Sequence, residues 1–99
     1  MSSEVTQRKR YDHVYERWLR EEFYRAIDNR RLTIHETVNA MRRLSCLTRQ
    51  DFARHVGIGL VALKQIESGR TDPKVSTLNR MADMFGLEVR FVRKAKGGQ

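Results

Sequence analysis

The 99-residue chain holds one cysteine, Cys46, and one proline, Pro73. A lone cysteine excludes an internal disulfide and suits a reducing compartment. With one proline and no low-complexity tract, disorder is expected only at the ends. No apolar run approaches the roughly 20 residues of a membrane-spanning helix, and the N-terminus lacks a signal-peptide core. A cytoplasmic protein with no membrane association is the simplest reading. His13, His35 and His55 stand at no metal-ligand spacing with Cys46, so no metal or cofactor is expected. There is no Ser/His/Asp order and no phosphate-cradling glycine loop. Glu21 and Glu22 occupy diverging helix positions and cannot converge on a substrate. An enzyme is therefore not expected. Acids are also scarce beside bases: 12 Asp and Glu against 20 Lys and Arg, a net charge of +8. That balance favours a polyanionic partner, nucleic acid before acidic membrane; a merely solvating surface is the bland alternative. Ninety-nine residues allow one small domain with one core.

What is present is organised around Leu47 to Pro73. Thr48 reads as an N-cap, with Asp51 three residues on where a capping box usually has Glu or Gln. Phe52, Ala53 and Val56 recur at helical spacing, and Gly57 stops the run. A second helix begins near Gly59 or Leu60 and ends at Gly69. On a 100° wheel, Leu63 and Ile66 form a narrow apolar stripe flanked by Leu60. Val61, Lys64, Gln65 and Ser68 fall on the other side. Glu67 lies close to the stripe, where a charge is costly without a partner.

These residues resemble the lambda-repressor-like (Cro-type, XRE) helix-turn-helix DNA-binding domains. The matching pieces are Leu47-Thr48, Phe52-Ala53, Val56-Gly57-Ile58, Leu63, Ile66-Glu67, Gly69 and Asp72-Pro73. The likeness covers roughly Ile34 to Phe91 and is strong as an ordered set. It implies a mostly all-α, five-helix domain that binds double-stranded DNA. The family's base-reading positions fall on Leu60, Val61, Lys64 and Gln65. Leu60 and Val61 could pack on thymine methyls, Lys64 could donate to guanine, and Gln65 could pair with adenine or hold phosphate. Partial core packing is the alternative for Leu60. Phosphate contacts fall on Thr48, Arg49 and Gln50 at the start of the first motif helix, and on Arg70, Thr71 and Lys74 in the following loop. Arg42 falls where the family has a basic partner for the glutamate near the end of the recognition helix, here Glu67.

Around this core, residues 1–10 read as a flexible basic arm, carrying Arg8, Lys9 and Arg10. Residues 11–32 hold an extra amphipathic helix. Val14, Trp18, Phe23, Ala26 and Ile27 mark its apolar side, with Tyr11, Tyr15 and Leu19 beside it. It packs either within the monomer or against a second subunit. Residues 33–93 form the DNA-binding domain. Its first helix is Ile34 to Ser45, with Val38, Met41 and Leu44 inward. Its last uses Val75, Leu78, Met81, Ala82 and Phe85, closed by Gly86. Leu87, Val89 and Phe91 then alternate with other residues as in a strand. A strand needs a neighbour, and HipB-type antitoxins, which resemble this arrangement, pair such a strand across a dimer. Residues 94–99 read as a basic tail. The resemblance thus implies a homodimeric repressor without cofactors. The alternative is an antitoxin that binds a protein toxin and regulates its own operon.

Overall fold

The computed structural model describes residues 2–94, with side-chain environments from His13 onward. Five helices occur in this span: α1 (Ser2–Asp28), α2 (Ile34–Ser45), α3 (Arg49–Val56), α4 (Leu60–Glu67) and α5 (Val75–Met84). The expectation of five core helices plus an extra one therefore reduces to five in all.

Each boundary has a local cause. Thr33 and Glu36 form a reciprocal capping box at the start of α2, with hydrogen bonds of 3.1 and 2.9 Å. Cys46 ends α2 in the left-handed conformation, φ 59°. A β-carbon is unfavourable there, which is why glycine is the common choice. The Thr48 hydroxyl caps α3 by accepting from the Asp51 amide at 3.1 Å. Gly57 ends it at φ 78°, and Ile58 N–H returns to the Ala53 carbonyl at 2.9 Å. A side chain at Gly57 would meet both a left-handed backbone and the Arg80 guanidinium lying over it. Gly59 and Lys74 precede α4 and α5 without side-chain caps.

The core lies where α2, α3, α4 and α5 meet. Phe52, Leu63, Met81, Val38 and Val56 are its largest fully buried side chains. On α5, Met81 and Ala82 are buried and Leu78 is half-buried, and Phe85 is buried at its C-cap. Val75, expected inward, is exposed, and Thr77 is buried in its stead.

α1 closes one end of this core through its last third. Phe23 is buried, and its ring meets that of Phe85 at 5.6 Å. The Tyr24 hydroxyl donates to the Phe85 carbonyl at 2.7 Å. Two readings of this region change. Residues 2–10, taken as an arm, continue the helix; the run has no Gly or Pro and is rich in straight-chain polar residues. The inward side is Leu19, Phe23 and Ile27, whereas Val14 and Trp18 are exposed. Five residues separate Trp18 from Phe23, about 140° on the wheel, so they cannot share one narrow face.

The strand expected at Leu87, Val89 and Phe91, with its neighbour across a dimer, does not form within the single chain. Among the described residues no strand occurs, and residues 87–94 carry no regular structure. Leu87 folds back on the α5 terminus, its amide bonded to the Ala82 carbonyl at 2.9 Å. Beyond it Val89 and Phe91 are exposed. An extended segment with no neighbour has no ladder to join, so its alternation of residues alone does not make a strand.

Candidate nucleic-acid interface

The Gly57–Ile58–Gly59 turn sets α4 against α3 with Leu63 and Ile66 inward. Val61, Ala62, Lys64, Gln65 and Ser68 are left exposed. Leu60 is half-buried at the edge. An eight-residue helix is about 12 Å long, and the major groove of B-DNA is about 12 Å wide. The exposed side of α4 is thus dimensionally suited to that groove and uncovered by its own chain.

What holds this helix in place is a polar ladder on α2. His35 Nδ1 lies 2.9 Å from the Ile66 carbonyl and donates to it. Asn39 Nδ2 donates to the Glu67 carbonyl at 3.1 Å. Arg42 Nε donates to Glu67 Oε2 at 2.8 Å. The remaining terminal carbonyls of α4 are taken locally: Lys64 by the Ser68 amide at 3.0 Å and Gln65 by the Arg70 amide at 2.9 Å. All four carbonyls that a helix end leaves without an intrahelical donor are satisfied. His35, Asn39 and Arg42 recur at i, i+4 and i+7, one stripe of α2. Only Arg42 of these stood out in the sequence. The polar stripe beside Val38 and Met41 was the available signal for the other two.

Glu67 is the hub. Its carboxylate is 8% exposed and accepts from two arginines, Arg42 at 2.8 Å and Arg49 at 3.1 Å. Arg42 is 17% exposed and Arg49 49%. Arg49, the first residue of α3, uses Nε for this contact, and its side chain is half-exposed. A guanidinium held at one edge by a carboxylate is pre-oriented to fork onto a second anion.

The other residues assigned to phosphate divide into two groups. Thr48 and Gln50 are exposed beside Arg49. A concavity of about 430 Å³, lined by Asn39, Arg49, Lys64, Glu67 and Ser68, joins that group to α4. On the other flank of α4, a groove of about 420 Å³ brings Thr71 and Lys74 beside the Gly57–Gly59 turn. Arg80, absent from the sequence-level assignment, lines the same groove. Its signal was hidden because it comes from the next helix. Arg70 is exposed in the loop between the groups. Bases thus stand on both sides of the exposed α4 surface, the arrangement expected of a helix laid between two phosphate rows.

Cys46 takes no part in this surface. Its thiol donates to Glu16 Oε1 at 3.4 Å. That hydrogen bond, partial burial and the Glu16 charge push its pKa up, against a smaller opposing pull from Arg20. The thiol therefore stays protonated at neutral pH and is a poor nucleophile. Among the described residues no helix is long and apolar enough to cross a membrane.

No curated protein and no solved structure matches the chain. A family model described as a helix-turn-helix domain does match, over residues 36–91. The match runs from the first turn of α2 through the ladder, the Gly57 turn and α4 to the tail beyond α5. With more than half its length matched, the chain belongs to the helix-turn-helix domain family.

Proposed function

We propose that this protein is a sequence-specific DNA-binding regulator, a repressor that acts as a homodimer. Each copy lays α4 in a major groove, at half-sites about 34 Å apart, one turn of the duplex. The observation that carries this reading is the uncovered Val61–Lys64–Gln65 surface on a helix otherwise locked to α2 and α3. Val61 packs on thymine methyls, Lys64 donates to guanine and Gln65 pairs with adenine. Leu60, half-buried, adds an apolar edge. Thr48, Arg49, Gln50, Arg70, Thr71 and Lys74 hold the backbone and supply most of the affinity.

The test is selection of bound duplexes from a random pool, followed by anisotropy titrations over a series of salt concentrations. A defined half-site should emerge, and log affinity should fall linearly with log salt. Lys64→Ala or Gln65→Ala should relax preference at single positions, by about 1–3 kcal/mol each. Salt-independent binding, or an unchanged preference in both variants, refutes the reading. A second reading, an antitoxin that also binds a protein toxin, draws support from the exposed aromatic side of α1. A toxin-like partner that co-purifies in fixed stoichiometry is its mark.

A further inference from the structure

Two helices begin on the groove that flanks the Gly57 turn. Gly57, Ile58 and Gly59 bring the start of α4 to it, and Pro73, Lys74 and Ser76 bring the start of α5. Neither start has a side-chain cap. The first-turn amides of Leu60, Val61 and Ala62, and of Val75, Ser76 and Thr77, therefore have no acceptor among the described residues. Uncapped amides alone can be satisfied by water, but a second feature points to a ligand. Thr77, in the first turn of α5, is a polar residue only 7% exposed. Among the described residues nothing hydrogen-bonds its hydroxyl, and no side-chain oxygen there is both unpaired and fully enclosed. What remains open of Thr77 therefore faces the groove that it lines. A polar group buried without a partner is costly, and here the partner can come only from the groove.

The charges on the walls set the partner's sign. Arg80 follows Thr77 by three residues, on the same side of α5. Its guanidinium lies over Gly57 and lines the groove, with no ion pair among the described residues. Lys74 adds a second cation. Asp72, the acid on this rim, is turned to His35 Nε2 at 3.4 Å.

We infer that this groove is an oxyanion site that seats a phosphoryl group. The helix starts and the Thr77 hydroxyl supply neutral donors, and Arg80 and Lys74 supply the counter-charge. The inference deepens the DNA-binding reading, on which the choice of a backbone phosphodiester as occupant rests. It adds Arg80 and Thr77 to the phosphate-holding set and joins them with Lys74 in one built site. A phosphate seated there fixes the start of α4 relative to the duplex, because the Gly57–Gly59 turn is one wall of the groove. Gly57 serves the site as well as the turn, since a side chain there would displace the guanidinium.

The isotope-labelled full chain, titrated with inorganic phosphate against chloride at constant ionic strength, tests the site by amide chemical shifts. The amides of Leu60 to Ala62 and of Val75 to Thr77 should move together and saturate. Arg80→Gln and Thr77→Val should each weaken that binding roughly tenfold. Arg80 is exposed and valine keeps the shape of threonine, so both variants should keep the parent's circular dichroism. Duplexes with one methylphosphonate at each backbone position in turn identify the occupant. At one position the neutral group should cost the parent roughly tenfold in affinity and cost Arg80→Gln much less, the mark of a shared contact. Arg80→Gln should also flatten the salt dependence by about one phosphate and leave base preference unchanged. Saturable phosphate shifts with no duplex position coupled to Arg80 would keep the site and make its occupant a free phosphorylated ligand. No shift at either helix start, or shifts unchanged in both variants, would overturn the site; duplex binding with a Lys64-dependent preference would then leave the DNA-binding reading standing. A chain that takes up phosphate here and binds no duplex would remove that reading and keep the site.

Discussion

Replacing Glu67 with alanine should be the most damaging single change at the edge of the core. The carboxylate is nearly buried and accepts from Arg42 and Arg49, at 2.8 and 3.1 Å. Removing it strands Arg42, itself 17% exposed, with no counter-charge. Breaking a buried pair by deleting one partner costs about 3–5 kcal/mol. The half-exposed Arg49 turns to solvent and adds less than about 1 kcal/mol. Arg42 is short of full burial, so the lower end applies, about 3 kcal/mol. For a domain of this size that lowers the thermal midpoint by roughly 12–24 °C. Urea titration followed by circular dichroism should show a lower midpoint at an unchanged m-value. The pair Arg42→Met with Glu67→Leu should recover much of the loss, because the penalty lies in the orphaned charge rather than in the absent bond. A Glu67→Ala variant within about 0.5 kcal/mol of the parent would refute the hub.

Other consequences are smaller and separate. Gly57→Ala forces a β-carbon into a left-handed turn and against Arg80, and should cost at least about 1 kcal/mol in the same titration. Cys46→Gly should do the reverse at φ 59°, raising stability by up to about 1 kcal/mol. Alkylation of Cys46 should begin at higher pH than in a model thiol, and Glu16→Gln should lower that onset. The sign carries to stability: a thiol raised in the folded state favours folding below its unfolded pKa, and that contribution disappears as alkaline pH passes the folded value. Arg49→Ala should weaken every duplex alike and flatten the salt dependence by about one phosphate, as read by anisotropy.

Helix positions and caps in the motif were legible because each rests on near neighbours in the chain. Thr48 with Asp51 and the left-handed Gly57 both act within four residues, whereas the Thr33–Glu36 box, equally local, shows only in the structure. The apolar pattern of Ile34 to Ser45 likewise carried its own boundaries. Failures came where the deciding contact is distant or absent. α1 has apolar residues on two sides, and its packing against α2 and Phe85 decides which side is inner. The alternation at Leu87, Val89 and Phe91 has no adjoining strand within the chain. In the candidate site, the wheel marked Glu67 as needing a partner. The second arginine on its carboxylate, and the roles of His35, Asn39 and Arg80, depend on how helices cross. Periodicity within one helix carries no such information.

The ladder on α2 grips α4 by its main-chain oxygens and by Glu67, never by the side chains at 61, 64 and 65. Identity and posture are thereby uncoupled. Those three positions can be exchanged for almost any residue that tolerates a helix, with little penalty to folding. The scaffold is in that sense a holder with a replaceable tip, and under the proposed function three exposed positions would suffice to rewrite what it prefers.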